Sequence, residues 1–130
     1  MSKLSKLNAA VNRMADAPFK YGVNDCYIFT STLVKIWHGR DFTKKHAVYK
    51  SKKGAAEYMA KFGGIEALTT GTLGYSVQTN LLADGDVVLC QMEEGEIALG
   101  FVYDGQGLFL GNKTVLRVPL EHCLKGWRIT

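Results

Sequence analysis

YGVNDCYIF, residues 21–29, governs how the rest of the chain is read. Gly22, Asn24 and Asp25 stand just ahead of Cys26, and an apolar helical pattern follows, with Phe29, Leu33, Ile36 and Trp37 on one face. The spacing predicts a helix from about Asp25 or Cys26 to His38, stopped by Gly39. Asn24 or Asp25 can cap its free N–H groups. Cys26 then sits on the first helical turn, where it is either a nucleophile or a small buried residue. The helix N-terminus favours a thiolate by only about 0.3–1 kcal/mol. That makes Cys26 somewhat reactive toward alkylating reagents, but a free thiol near pKa 8.5 remains only a few per cent ionised at neutral pH.

Working outward, Leu4, Leu7, Ala10, Val11 and Met14 recur at three- and four-residue spacing. They predict an amphipathic helix over residues 2–16 with Ser2 as N-cap, ended at Ala17-Pro18. A further helix is expected from about Lys53 to Phe62, following Ser51 and stopping at Gly63-Gly64. After Gly71 the period changes. GDVVLCQM, IALGFVYDG, GLFLGN, TVLRVPL and GWRIT read as short strands joined as a meander, with tight turns at Asp104-Gly105 and Gly111-Asn112. Pro119 ends its strand or leaves it at an edge, and Trp127 anchors the last strand in the core. The expected fold is one α+β domain over residues 1–130, with helices in residues 1–17 and 18–64 packed on an antiparallel sheet of about five strands in residues 71–130.

Composition agrees with that layout. The 130 residues are 47% hydrophobic and 22% charged, which is globular rather than disordered. No apolar run approaches the roughly 20 residues of a membrane helix, and the N-terminus lacks a signal-peptide stretch, so no membrane association is expected. Cys26, Cys90 and Cys123 cannot all pair within one chain, and no CxxC or histidine spacing suggests zinc, so neither a metal nor a cofactor is expected. The net charge of +4 gathers at Lys44, Lys45, Lys50, Lys52 and Lys53, in KKHAVYKSKK. Such a run either meets phosphate, as in nucleic-acid contact, or is a solvated loop; no aromatic ladder accompanies it.

A cysteine on a helix N-terminus followed by a small antiparallel sheet is the order of parts in the papain-like fold. GVNDC at 22–26, DGDVVL with Gly85 and Asp86, and ALGFVY at 98–103 resemble the GxxDC, Gly-Asp and His-Val-Gly-Ile-Tyr segments of the NlpC-type cell-wall cysteine peptidases. Over residues 18–129 the chain also resembles a smaller NlpC-like family encoded mainly by tailed phages and prophages, through YGVNDC, YKSKKGA, FGG, GDVVL, ALG, VPL and GWRI. The resemblance implies an NlpC-type fold with Cys26 as nucleophile or its remnant. It puts Ala98 where the family keeps its catalytic histidine. A methyl group neither takes a proton from sulfur nor returns one to a leaving amine.

Three histidines remain as substitutes. His38 lies twelve residues along the helix of Cys26, about 18 Å away, and is excluded as a direct base. His46 sits in the basic run and reaches Cys26 only by a fold-back. His122, in PLEHCLKGW, can approach from a loop. The expectation is therefore a virion-associated structural or adaptor protein of the tail or ejection machinery on a degenerate peptidase fold. It is made in the host cytoplasm and held by contacts with other virion proteins in several symmetry-related copies. The alternative is an active thiol hydrolase acting on peptidoglycan with a substitute base.

Overall fold

The computed structural model describes residues 2–41 and 49–129, the side chain of Glu94 excepted. Among the described residues there are four α-helices, α1 (Lys3–Asp16), α2 (Cys26–His38), α3 (Lys52–Ala60) and α4 (Ile65–Leu73). They are followed by five strands, β1 (Val87–Gln91), β2 (Ile97–Tyr103), β3 (Gln106–Gly111), β4 (Thr114–Pro119) and β5 (Lys125–Trp127). The class is α+β, and every strand pair is antiparallel.

The first three helices begin on side-chain caps that the sequence provides. Ser2 Oγ accepts from Ser5 N at 3.1 Å, Asp25 Oδ1 from Ile28 N at 2.9 Å, and Ser51 Oγ from Gly54 N at 2.9 Å. Each such cap stabilises its helix by about 1 kcal/mol. Gly39 closes α2 in the left-handed region, with φ 74°. Helix α4 was not expected from the sequence. It starts on Gly64 without a side-chain cap, and its second half, Thr69-Thr70-Gly71-Thr72, has weak helix propensity. Burial of Leu68 and Thr69 holds it instead, and the Thr69 and Thr72 hydroxyls bond back to the carbonyls of Ile65 and Leu68.

The sheet order is β4-β3-β2-β1-β5. Strands β1 to β4 form the expected meander, but β5 does not extend it. From β4 the chain passes through a 3₁₀ turn, Leu120–His122, and crosses to the other side to pair with β1. Asp104 and Gly105, both with positive φ, form the two-residue turn between β2 and β3. The turn between β3 and β4 is Asn112-Lys113 rather than Gly111-Asn112, because Gly111 still pairs with Thr114. Pro119 ends β4, which is the outermost strand on its side.

Helices α1 and α2 cover one face of the sheet. Leu7, Tyr27, Phe29 and Leu33 meet Val87, Leu89, Leu99, Phe101, Leu108 and Trp127 in the main core. Burial of each large side chain there contributes roughly 1.5–3 kcal/mol. Trp127 is fully buried, and its indole N–H donates to Thr70 Oγ1 at 3.3 Å. The opposite face carries a smaller cluster of Val88, Cys90, Val102 and Phe109, flanked by Leu82, Ala98, Leu120 and Cys123.

One irregularity positions the site. β2 pairs with β3 only from Phe101 to Tyr103, against Leu108 to Gln106. Beyond that point the β3–β4 hairpin parts from β2, and the N-terminus of α2 enters the gap. Thr30 Oγ1 donates to the Leu99 carbonyl at 3.1 Å, so the helix satisfies a β2 carbonyl that the ladder leaves open.

Candidate functional site

The residues before Cys26 each have a backbone task. Gly22 has φ +83°, and a Cβ there would overlap the Tyr49 carbonyl oxygen, so only glycine fits. Its N–H donates to Asp25 Oδ2 at 2.8 Å. Asn24 does not cap α2. Its buried Nδ2 donates to the carbonyls of Met14, Ala17 and Pro18 at 3.0, 3.3 and 3.1 Å, closing the C-terminus of α1. Asp25 is the α2 cap and is 2% exposed. Its carboxylate accepts from Ile28 N, Gly22 N and the Tyr49 hydroxyl.

These contacts fix Cys26 on the wall of a cavity of about 590 Å³ at the point where β3 leaves β2. Tyr21 and Tyr49 line one side, Met59 and Ile65 another, and Phe109 and Leu116 come from the hairpin. Lys52 and Glu96, paired at 3.1 Å, line the cavity too, and both are exposed. Ala98 lines this same cavity and also packs against the small cluster on the far face of the sheet. The structure thus brings Cys26 and Ala98 to one cleft.

The thiol is held protonated. Burial pushes the Cys26 thiol up to about 11, the Leu99 N–H opposes that, and the Asp25 carboxylate pushes further upward. The helix N–H groups of Cys26 and Tyr27 act in the thiolate's favour but do not prevail. The sign is therefore opposite to the modest activation that the helix N-terminus alone implies. The phenols of Tyr27 and Tyr49 are also held well above their ordinary range, chiefly by burial. Asp25 is the carboxylate next to the sulfur in sequence, and three donors already occupy it.

None of the histidines in the described residues lines the cavity. His38 Nε2–H donates to the Gly85 carbonyl at 2.8 Å and so ties the end of α2 to the turn before β1. His122 is exposed on the 3₁₀ turn between β4 and β5, and its carbonyl accepts from the Cys90 thiol at 3.7 Å. The crossing of β5 carries His122 to that position, away from the cavity wall. His46, Lys44 and Lys45 lie outside the described residues. Lys50 and Lys53 are exposed, and Lys52 is engaged by Glu96. Trp37, on the apolar face of α2, packs edge-on against Phe101 and Tyr103.

The family model described as "Domain of unknown function (DUF6950)" matches residues 3–129. The chain belongs to the DUF6950 family. Comparison with curated proteins gave no match. The DUF6950 match spans all four helices and all five strands, so the cavity and both of its key positions lie within the family unit.

Sequence reasoning did not single out Thr30 or Leu99, which join α2 to β2 beside the sulfur. A hydroxyl on the apolar face of α2 was the available signal. Asp86, the second half of the Gly-Asp pair, is structural here. It is 3% exposed and accepts from Ala83 N at 2.8 Å and Ile129 N at 2.9 Å, while Arg128 Nε pairs with it at 2.9 Å. The strand-opening aspartate thus fastens the C-terminal segment to the start of β1.

Proposed function

We propose that this chain is a structural or adaptor protein of a tailed-phage virion, in the tail or ejection machinery, built on a degenerate NlpC-like cysteine peptidase fold. The observation that carries the reading is the meeting of Cys26 and Ala98 on one cavity. Ala98, at the strand position where the resembled family keeps its histidine, has no proton-accepting group, and the thiol itself is held neutral. The order of parts supports the NlpC-type fold: a cysteine on a helix N-terminus, an antiparallel sheet packed beneath it, and the family's histidine position on the adjoining strand. The phage and virion assignment rests on the sequence resemblance over residues 18–129.

A second reading is an active thiol hydrolase of peptidoglycan. What favours it is the cavity itself, since a structural cysteine needs no open space of about 590 Å³ beside it. It requires a base within about 2.6–3.2 Å of the sulfur, or one water away.

The test compares the wild-type protein, Cys26→Ala and Ala98→His on purified peptidoglycan, and looks for the chain in purified virions by mass spectrometry. The expected result is no cleavage by wild type or Cys26→Ala, Cys26-dependent cleavage or faster alkylation in Ala98→His, and the chain present in virions. Wild-type cleavage that disappears in Cys26→Ala would establish the hydrolase instead. Absence from virions would remove the structural role.

A further inference from the structure

A second pair of thiols lies away from the cleft. Cys90, on β1, and Cys123, just after the 3₁₀ turn, both belong to the small cluster on the face of the sheet opposite α1 and α2. Cys90 is buried and Cys123 half-buried, and both are free. The main chain holds the two segments together. Leu124 N donates to the Leu89 carbonyl at 2.9 Å, and the Cys90 thiol donates to the carbonyl of His122, the residue before Cys123, at 3.7 Å. The Cys123 thiol donates to Pro119 at 3.6 Å within its own turn. The Cys90 sulfur thus reaches across to the backbone beside Cys123, the Cys123 sulfur is held within its own turn, and the two segments are fixed to each other.

The side chains touch as well. Burial, and then the adjacent Cys90 sulfur, push the Cys123 thiol up to about 12. Burial and the neighbouring sulfur make a Cys123 thiolate costly here. A disulfide carries no charge and releases both protons, so oxidation suits this environment where ionisation does not.

We infer that Cys90 and Cys123 form a reversible dithiol–disulfide couple, exchanged with low-molecular-weight disulfides such as glutathione disulfide and separate from the Cys26 cleft. Cys123, the more accessible sulfur, attacks one sulfur of the small disulfide, forming a mixed disulfide and displacing one small thiolate. Cys90 then attacks the Cys123 sulfur, closing the Cys90–Cys123 bond and displacing the second thiolate. The two protons lost by the protein thiols go to the two leaving thiolates. Protein dithiol and small disulfide become protein disulfide and two small thiols. The cross-link closes a loop of roughly 30 residues that contains β2, β3 and β4, and joins both edges of that loop at β1.

The experiment incubates folded full-length protein, and separately Cys26→Ala, with glutathione disulfide. Thiols are then counted in denaturant, intact mass is measured, and unreduced peptides are mapped. The expected result is a fall from three free thiols to one in the wild type. The mass should drop by two hydrogens, with Cys90 and Cys123 peptides joined. Cys26→Ala should lose all its thiols in the same way, and excess dithiothreitol should restore them. The oxidised protein should melt roughly 10 °C higher than the reduced one. Cys123→Ser, at the half-buried position, should trap no internal cross-link. Stable glutathione adducts without closure, a bond that includes Cys26, or three thiols remaining after prolonged incubation would each overturn the inference.

Discussion

Alkylation of Cys26 tests the electrostatics of the cleft most directly. The fold moves its thiol from an ordinary 9.0 to about 11, with burial as the largest cause. At pH 7 the thiolate fraction then falls from about one in a hundred to about one in ten thousand. A more basic thiolate is intrinsically more nucleophilic, with a Brønsted slope near 0.4–0.5, which returns a factor of about eight over two units. The net expectation is a rate about tenfold below that of an unfolded cysteine, before restricted access lowers it further. The assay follows iodoacetamide labelling of the Cys26 peptide in the folded protein by mass spectrometry from pH 7 to 10. The free peptide YGVNDCYIF serves as reference. The folded rate should lag at every pH and still be rising at pH 10. Labelling as fast as the free peptide, or a plateau below pH 9, would mean the site stabilises a thiolate and would refute this account of the cleft.

Stability should fall on the alkaline side. Because Cys26 is raised in the fold, its contribution is fully present below about pH 9 and is lost as pH climbs toward 11. The loss is up to about 2–3 kcal/mol from this group, with Tyr27 and Tyr49 acting in the same direction; urea titrations at pH 7, 9 and 10.5 would show it as a falling midpoint. Asp86→Ala leaves the buried Ile129 N–H and the part-buried Ala83 N–H without their acceptor, removes the partner of Arg128, and should cost about 3 kcal/mol, read as a melting point lower by roughly 10 °C; a drop under about 3 °C would count against the clasp. Asn24→Ala uncaps three α1-terminal carbonyls and should cost about 1–3 kcal/mol in a denaturant titration, whereas Val23→Ala, exposed in the same turn, should cost under about 0.5 kcal/mol. Gly22→Ala should destabilise more than either, since it demands both a strained φ and displacement of Tyr49; an unchanged melting point would show that the turn has slack.

Much of this architecture was legible because its causes are local. Ser2, Asp25 and Ser51 announce their helices, Gly39 ends α2, and short apolar runs between turn residues mark β1 to β3. Helix α4 was hidden because its stability comes from tertiary burial of Leu68 and Thr69, against the preference of its own residues. The destination of β5 was hidden for a related reason. Periodicity identifies a strand but not its neighbour, and the crossing decides that His122 sits beside Cys90. At the site, the position of Cys26 followed from spacing and capping, while the direction of its pKa did not. Helix N-terminal N–H groups can be read from a sequence; burial and the convergence of Tyr49 on Asp25 cannot.

The turn before α2 bears on how such chains are classified. Gly22 is required by the passage of Tyr49, and Asp25 by the first turn of a helix. Asn24, inside the same motif, is required by the end of a different helix. A protein that never cleaved a bond would need all three to keep this turn. Of the GxxDC pattern, Gly22 and Asp25 are both accounted for by the folding of the turn. A match at this turn therefore reports how the turn folds and carries no information about turnover.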